Sequence, residues 1–308
     1  MRPARTLARA LAEGPLVLDG GLSNQLEAQG CDVSDELWSA RLLVDGPEQI
    51  EAAHRAYVRS GARVLITASY QASFEGFARR GVGRAEVTGL FARSVALARA
   101  AAEATEDEVW VAASVGPYGA VLADGGEYRG RYGLTVRELE RFHRPRIEAL
   151  AAAEPDVLAL ETVPDTDEAE ALLRAVEGCG VPVWLSYTVS GGQTRAGQDL
   201  AAAFALAAGD DVVAVGVNCC APEDADGAVA LAATTTGKPV VVYPNSGETW
   251  DAQTRDWRDG GVGSGIDPLR VRGWLASGAR LVGGCCRVGP DVVADVAGAL
   301  APSRGDIG

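Results

Sequence analysis

The chain has 308 residues, 47% apolar and 23% charged, a mixture that excludes a disordered tail or a fibre and suits one large barrel or two smaller domains. Twenty-eight basic residues stand against 42 acidic ones, and the net charge of −14 excludes the electrostatic footprint of a nucleic-acid or anionic-membrane binder. The 38 glycines follow no G-x-y period, so collagen is excluded and tight turns and close backbone approaches are expected.

Residues 1–18 carry Arg2, Arg5, Arg9 and Glu13 without the apolar core of a signal peptide, and a short amphipathic helix is predicted there. A first apolar run, Leu16–Gly20, leads to a helix over Glu48–Arg59, preceded by Pro47. A second run, Arg63–Ser69, leads to a helix over Arg84–Ala104, and a third, Trp110–Gly116, to one over Thr135–Ala153. The fourth run, Val157–Thr162, precedes a helix over Asp165–Val176. The fifth (Val183–Tyr187), sixth (Val212–Cys219) and seventh (Val240–Asn245) are followed by weaker helical signals at Leu200–Ala208, Ala221–Ala233 and Leu269–Ser277. The eighth, Arg280–Cys286, precedes a helix over Pro290–Leu300. These runs are nearly continuous in Val, Leu, Ile and Ala, as parallel strands covered on both faces are.

Eight strands alternating with helices point to an α/β fold, a single (β/α)8 TIM barrel occupying residues 1–308 as one domain. An open doubly wound sheet is the competing architecture. It usually carries G-x-G-x-x-G at its first strand–helix turn, where this chain has Asp19-Gly20-Gly21-Leu22-Ser23-Asn24. Two long connections, Pro117–Leu134 and Ser246–Pro268, fall on the catalytic face of such a barrel and read as lid or specificity loops. No run of about 18 apolar residues occurs, so no membrane span is expected. Without an export signal the six cysteines are expected reduced, in the cytoplasm.

Chemistry in a barrel gathers at the C-terminal ends of the strands. There stand Asp19-Gly20-Gly21, Ser69, Glu161-Thr162, Asn218-Cys219-Cys220 and Cys285-Cys286-Arg287. Two vicinal cysteine pairs on strands six and eight can bring three thiolates to one ion. Three sulfur ligands with a fourth position open describe a catalytic zinc site, since soft donors favour zinc over magnesium or manganese. The other reading is four small buried apolar side chains. If Val213, Val215 and Val217 face inward, Cys219 does too and Cys220 faces the helices. Asp19 and Glu161 are acids at the ends of apolar strands, suited to a substrate ammonium group or to capping. His54 and His143 fall on helices and read as structural, so no histidine-based acyl-transfer triad is supported.

Taken in order, these segments resemble the homocysteine S-methyltransferases. The likeness rests on Asp19-Gly20-Gly21, Ile66-Thr67-Ala68-Ser69-Tyr70-Gln71, Ser114-Val115-Gly116-Pro117-Tyr118-Gly119 and Glu161-Thr162. It continues through Gly216-Val217-Asn218-Cys219, Tyr243-Pro244-Asn245-Ser246-Gly247-Glu248 and Gly283-Gly284-Cys285-Cys286-Arg287, from about Leu16 to Pro290. The resemblance implies Zn2+ held by Cys219, Cys285 and Cys286. It implies homocysteine as methyl acceptor and S-methylmethionine or S-adenosylmethionine as donor, with methionine as product. Asp19, Gly20, Ser69, Glu161 and Asn218 are the substrate-binding positions it implies, and beyond the metal site it assigns no catalytic residue. Cys220 stands where many relatives carry another small residue and is not assigned as a ligand. The betaine-using branch has a long C-terminal extension, whereas 22 residues follow Cys286 here, so betaine is not the expected donor.

Tyr70, Tyr118, Tyr128 and Trp250 are candidate aromatic faces for a cationic donor. The expected assembly is a monomer or weak homodimer, with no nucleic-acid or membrane partner. The competing readings are a non-catalytic zinc or redox-sensing barrel, a methyltransferase with a different acceptor thiol, and a metallohydrolase with Glu161 as base.

Overall fold

The eight apolar runs form eight parallel strands: β1 (Leu16–Val17), β2 (Val64–Ile66), β3 (Trp110–Val115), β4 (Val157–Val163), β5 (Val183–Tyr187), β6 (Val212–Asn218), β7 (Val240–Tyr243) and β8 (Ala279–Val282). The computed structural model of the chain describes residues 2–33, 37–247, 249–251, 256–258 and 265–301, the side chains of 38, 249–251 and 256–258 excepted. Neighbouring strands pair in the order β1-β8-β7-β6-β5-β4-β3-β2, so each follows its predecessor around a ring. The ring closes through the parallel bridge Leu18↔Val64, flanked by Arg63 N–H on Val17 O at 2.8 Å and Asp19 N–H on Val64 O at 3.1 Å. That closure decides against the open doubly wound sheet.

Every residue of β3 and β4 is buried, because the strands face side chains within the barrel and helices outside it. Inside, Leu18, Val64, Trp110, Ala159, Trp184, Tyr243 and Leu281 belong to one apolar cluster. The predicted N-terminal helix is Leu7–Glu13, and its Leu7, Ala10 and Leu11 join this cluster. Trp110, at the start of β3, donates its Nε1–H to Arg5 O at 3.0 Å, which places that helix against the end of the barrel away from the long loops. The outer core packs Val215, Val217 and Leu160 against helix residues such as Ile50, Leu90, Ile147 and Val229. Among the described residues no helix is long and apolar enough to cross a membrane.

The strands are shorter than the apolar runs. Asp19, Thr67–Ser69, Cys219, Pro244–Asn245 and Gly283–Cys286 all lie beyond the paired ladder. The functional segments thus leave extended geometry and form a rim. The β3 loop holds the short helix Tyr118–Leu122 and a 3-10 turn Gly126–Tyr128. The β7 loop holds a hairpin of Thr249–Asp251 with Asp256–Arg258. Glu248 of the family-like segment lies outside the described residues, as do the Trp250 and Trp257 side chains.

Candidate metal centre and the pocket around it

Cys219 follows β6 directly with φ +52, a left-handed conformation. This corrects the strand-parity argument. Val215 and Val217 face the outer core, not the barrel interior, and simple alternation would send Cys219 the same way. The left-handed bend ends the alternation at Cys219, whose Sγ reaches the rim cluster, while Cys220 is fully buried in the outer core. Cys285 and Cys286 follow β8 through Gly283-Gly284, and a Cβ on Gly284 would stand 2.1 Å from Val288 Cγ1. That close approach folds the turn back, and Cys285 N–H donates to Pro244 O at 2.8 Å. Asn245 ties the two cysteine turns together: its N–H donates to Cys220 O at 2.9 Å and its Oδ1 accepts from Cys286 N–H at 3.2 Å.

The three sulfurs converge. Cys219 Sγ lies 3.1 Å from Cys285 Sγ and 3.7 Å from Cys286 Sγ, and Cys285 and Cys286 are 4.0 Å apart. A tetrahedral ion with sulfur bonds near 2.3 Å sets its ligands about 3.8 Å apart; two of the three separations lie within about 0.2 Å of that, and the Cys219–Cys285 pair at 3.1 Å opens to admit the ion. Cys219 is buried and the other two are half-buried, so the cluster opens toward the rim loops. All six cysteines are free thiols. Hydrogen bonds from Cys219, then Cys285, hold the Cys286 thiol well below the usual range, and Cys285 is pushed well above it, first by its bond to Cys219. The all-sulfur donor set suits a soft divalent ion, which would stabilise all three as thiolates. Tyr128 Oη, from the β3 loop, sits 3.1 Å from Cys219 Sγ.

Asp19 and Glu161 line the wall beside this cluster. Asp19 Oδ2 accepts Ile66 N–H at 2.8 Å, and Oδ1 is buried without a partner. Burial pushes the Asp19 carboxyl well up, Ile66 opposes, and the Glu161 charge adds to the rise. Glu161 accepts hydrogen bonds from Ser114 Oγ and, at 3.0 Å, from Tyr243 Oη; burial nonetheless pushes it up to about 7. Gly20 admits no side chain, since a Cβ there would fall 2.3 Å from Val288 O and 2.9 Å from the Tyr57 ring.

The remaining sequence-selected residues are engaged with protein. Ser69 Oγ donates to Ser114 O at 2.8 Å and pairs with Thr67 Oγ1 at 2.7 Å. Asn218 Oδ1 accepts from Thr162 N–H at 2.7 Å and Ser186 Oγ at 2.8 Å, and its Nδ2 donates to Thr162 Oγ1 at 2.8 Å. Asn218 thereby pins the left-handed Thr162 (φ +57) and fixes where Glu161 points. Of the aromatic candidates, Tyr128 reaches the sulfurs, while Tyr118 packs edge-on against Phe142 at 4.9 Å. Tyr70 packs over Gly116, where a Cβ would lie 2.6 Å from its ring.

Sequence reasoning missed Glu127. It is 6% exposed, its Oε2 is buried and unpartnered, and its charge acts on Tyr70, Cys219 and Cys286. Burial first, then the neighbouring Cys219, pushes its carboxyl up to about 7. Its loop position gave no signal of burial; the adjacent Tyr128 was the nearest hint.

Comparison with known proteins identifies the family these segments resemble. The sequence profile of the homocysteine S-methyltransferases matches residues 16–300. Homocysteine S-methyltransferase 4 of Zea mays is 43% identical over 96% of this chain and 92% of its own length. Homocysteine S-methyltransferase of Escherichia coli is 45% identical over 94% and 95%. The crystal structure of the Escherichia coli homocysteine methyltransferase MmuM in its metallated form superposes with a TM-score of 0.85 at 42% identity, covering 94% of this chain and 98% of that one.

Proposed function

Because the chain belongs to the homocysteine S-methyltransferase family, we propose that it transfers a methyl group from a sulfonium donor, S-methylmethionine or S-adenosylmethionine, to the sulfur of homocysteine, giving methionine. The observation that carries this reading is the convergence of Cys219, Cys285 and Cys286 at 3.1–4.0 Å on the rim of the barrel.

The three sulfurs fit zinc by number, softness and spacing, and a 42% identical relative has been crystallised in a metallated form. Bound by them, the ion supplies the Lewis acidity that turns a thiol of pKa about 8.5 into a thiolate at neutral pH.

The chain's own residues do the rest. Asp19 and Glu161 hold the ammonium group of homocysteine, Asp19 through its unpartnered Oδ1. That cation relieves the desolvation that raises both carboxyls. Gly20 lets the amino-acid end approach the backbone. Ser69 and Asn218 act behind them, by holding the β2 rim and the Thr162 bend.

The acceptor sulfur then attacks the donor methyl in line. A new S–CH3 bond forms as the old one breaks, and the electron pair of the broken bond neutralises the sulfonium sulfur, which leaves as a thioether. Positive and negative charge are consumed together, so a dry pocket favours the step, and no general base is needed during transfer. That suits a chain whose two histidines are both fully buried. A reducing compartment such as the cytoplasm keeps the thiols available.

Zinc-loaded protein incubated with homocysteine and S-methylmethionine is expected to form methionine, and chelated protein is not. Metal binding without methionine formation would instead support the metal- or redox-sensing reading. Competition between S-methylmethionine and S-adenosylmethionine at equal concentration assigns the donor.

A further inference from the structure

We propose that Glu127 is the donor-selecting residue of this site, its carboxylate facing the positive sulfonium centre of the methyl donor. The proposal rests on the methyltransferase reading above and adds to it the residue that distinguishes a charged donor from a neutral thioether.

Three observations carry it. First, Glu127 is a buried carboxylate with an unpartnered oxygen. Asp19 accepts from the Ile66 amide, and Glu161 accepts from Ser114 and Tyr243. For Glu127, the donor facing the carboxylate among the described residues is its own backbone amide. Second, no described cationic side chain forms an ion pair with it. The nearby Arg129 pairs with Asp124 at 3.2 Å on the exposed side of the loop. A buried carboxylate near Cys219 and Cys286 costs stability unless a cation faces it, and no described side chain supplies one as an ion pair.

Third, the carboxylate is held in place. A Cβ on Gly119 would sit 2.3 Å from Gly126 C and 2.4 Å from Glu127 N, so the two halves of the β3 loop are in backbone contact. Tyr132 Oη, further along the loop, donates to the buried Glu168 at 3.1 Å, and Tyr128, next to Glu127, reaches Cys219. Asp19 and Glu161 rise from the ends of β1 and β4, whereas Glu127 comes from the β3 loop, whose next residue, Tyr128, reaches Cys219. Acceptor ammonium and donor sulfonium are thus served by different carboxylates.

The test compares wild type with Glu127→Gln, both zinc-loaded. The neutral isostere is expected to raise the KM for S-methylmethionine by about 10–100-fold, the scale of one charge-assisted contact. The KM for homocysteine should stay within about twofold, with zinc content unchanged. A readout independent of turnover is the melting temperature. The ligand-free variant should melt no lower than wild type, because a buried unpaired charge has been removed, and S-methylmethionine should no longer raise it. A donor KM that does not move, or donor and homocysteine KM values that rise together, overturns the assignment. Wild-type protein that forms no methionine overturns the methyltransferase reading itself, and this one with it.

Discussion

At the scale of single residues, the two neighbours Cys219 and Cys220 show how much one backbone torsion decides. Both are buried and both are thiols, yet one meets Cys285 and Cys286 while the other belongs to the outer core. Burial pushes the Cys220 thiol far up, so it stays protonated and behaves as a small apolar side chain. Cys285→Ala should therefore lose zinc, read as metal per chain, with far-UV circular dichroism unchanged. Cys220→Ala should keep zinc and lose only about 1 kcal/mol of stability for the missing buried sulfur. Full zinc content in Cys285→Ala would remove the proposed ligand set. That cysteines mattered was readable from two vicinal pairs. Which member of the first pair reaches the rim was not, because alternation holds only while the strand lasts and Cys219 lies one residue past it.

At the scale of elements, the rim loops depend on a buried polar cluster behind them. His143, on the helix Val136–Ala151, accepts at Nδ1 from Arg146 at 3.0 Å and donates from Nε2 to Glu168, on the helix Thr166–Val176, at 2.9 Å. The two bonds fix a neutral imidazole with its proton on Nε2, and burial followed by the Arg146 charge holds its pKa well below the usual value. Arg146 donates onward to Gly116 O, and Glu168 accepts from Tyr118 N–H and Tyr132 Oη, so the cluster anchors both stems of the β3 loop. His143→Leu leaves Arg146 and Glu168 buried without their bridge. It is expected to cost about 3 kcal/mol in urea denaturation and to speed amide exchange across residues 117–132. A loss confined to the helices, with the loop's exchange unchanged, would argue against an anchoring role. The sequence put His143 on a helix, and the structure buries it there between Arg146 and Glu168. Its hold on a loop that carries Glu127 and Tyr128 becomes visible only when two helices and a loop are brought together.

At the scale of the whole molecule, the closed ring buries His54 on the helix Pro47–Arg59 with neither ring nitrogen bonded, and burial lowers its pKa to about 4. The unfolded chain takes up that proton near pH 6.5 and the folded chain does not until about pH 4. Stability is therefore present above about 6.5 and lost as the pH falls between those values, by about 3 kcal/mol in all. His54→Leu should flatten the decline of melting temperature between pH 7 and 5, and an unchanged slope would place the acid sensitivity elsewhere. What the sequence determined by itself was the barrel, its eight strand positions and the family-like segments on its rim. Those are written in local terms: continuous apolar runs for strands covered on both faces, helical spacing between them, and chemistry-bearing residues at the ends. The tertiary structure alone decided that the ring closes through Leu18 and Val64, that a left-handed turn aims Cys219, and that Glu127 sits buried beside the sulfurs. Closure, aim and burial depend on residues far apart in the chain coming into contact, and no periodicity within a single segment encodes them.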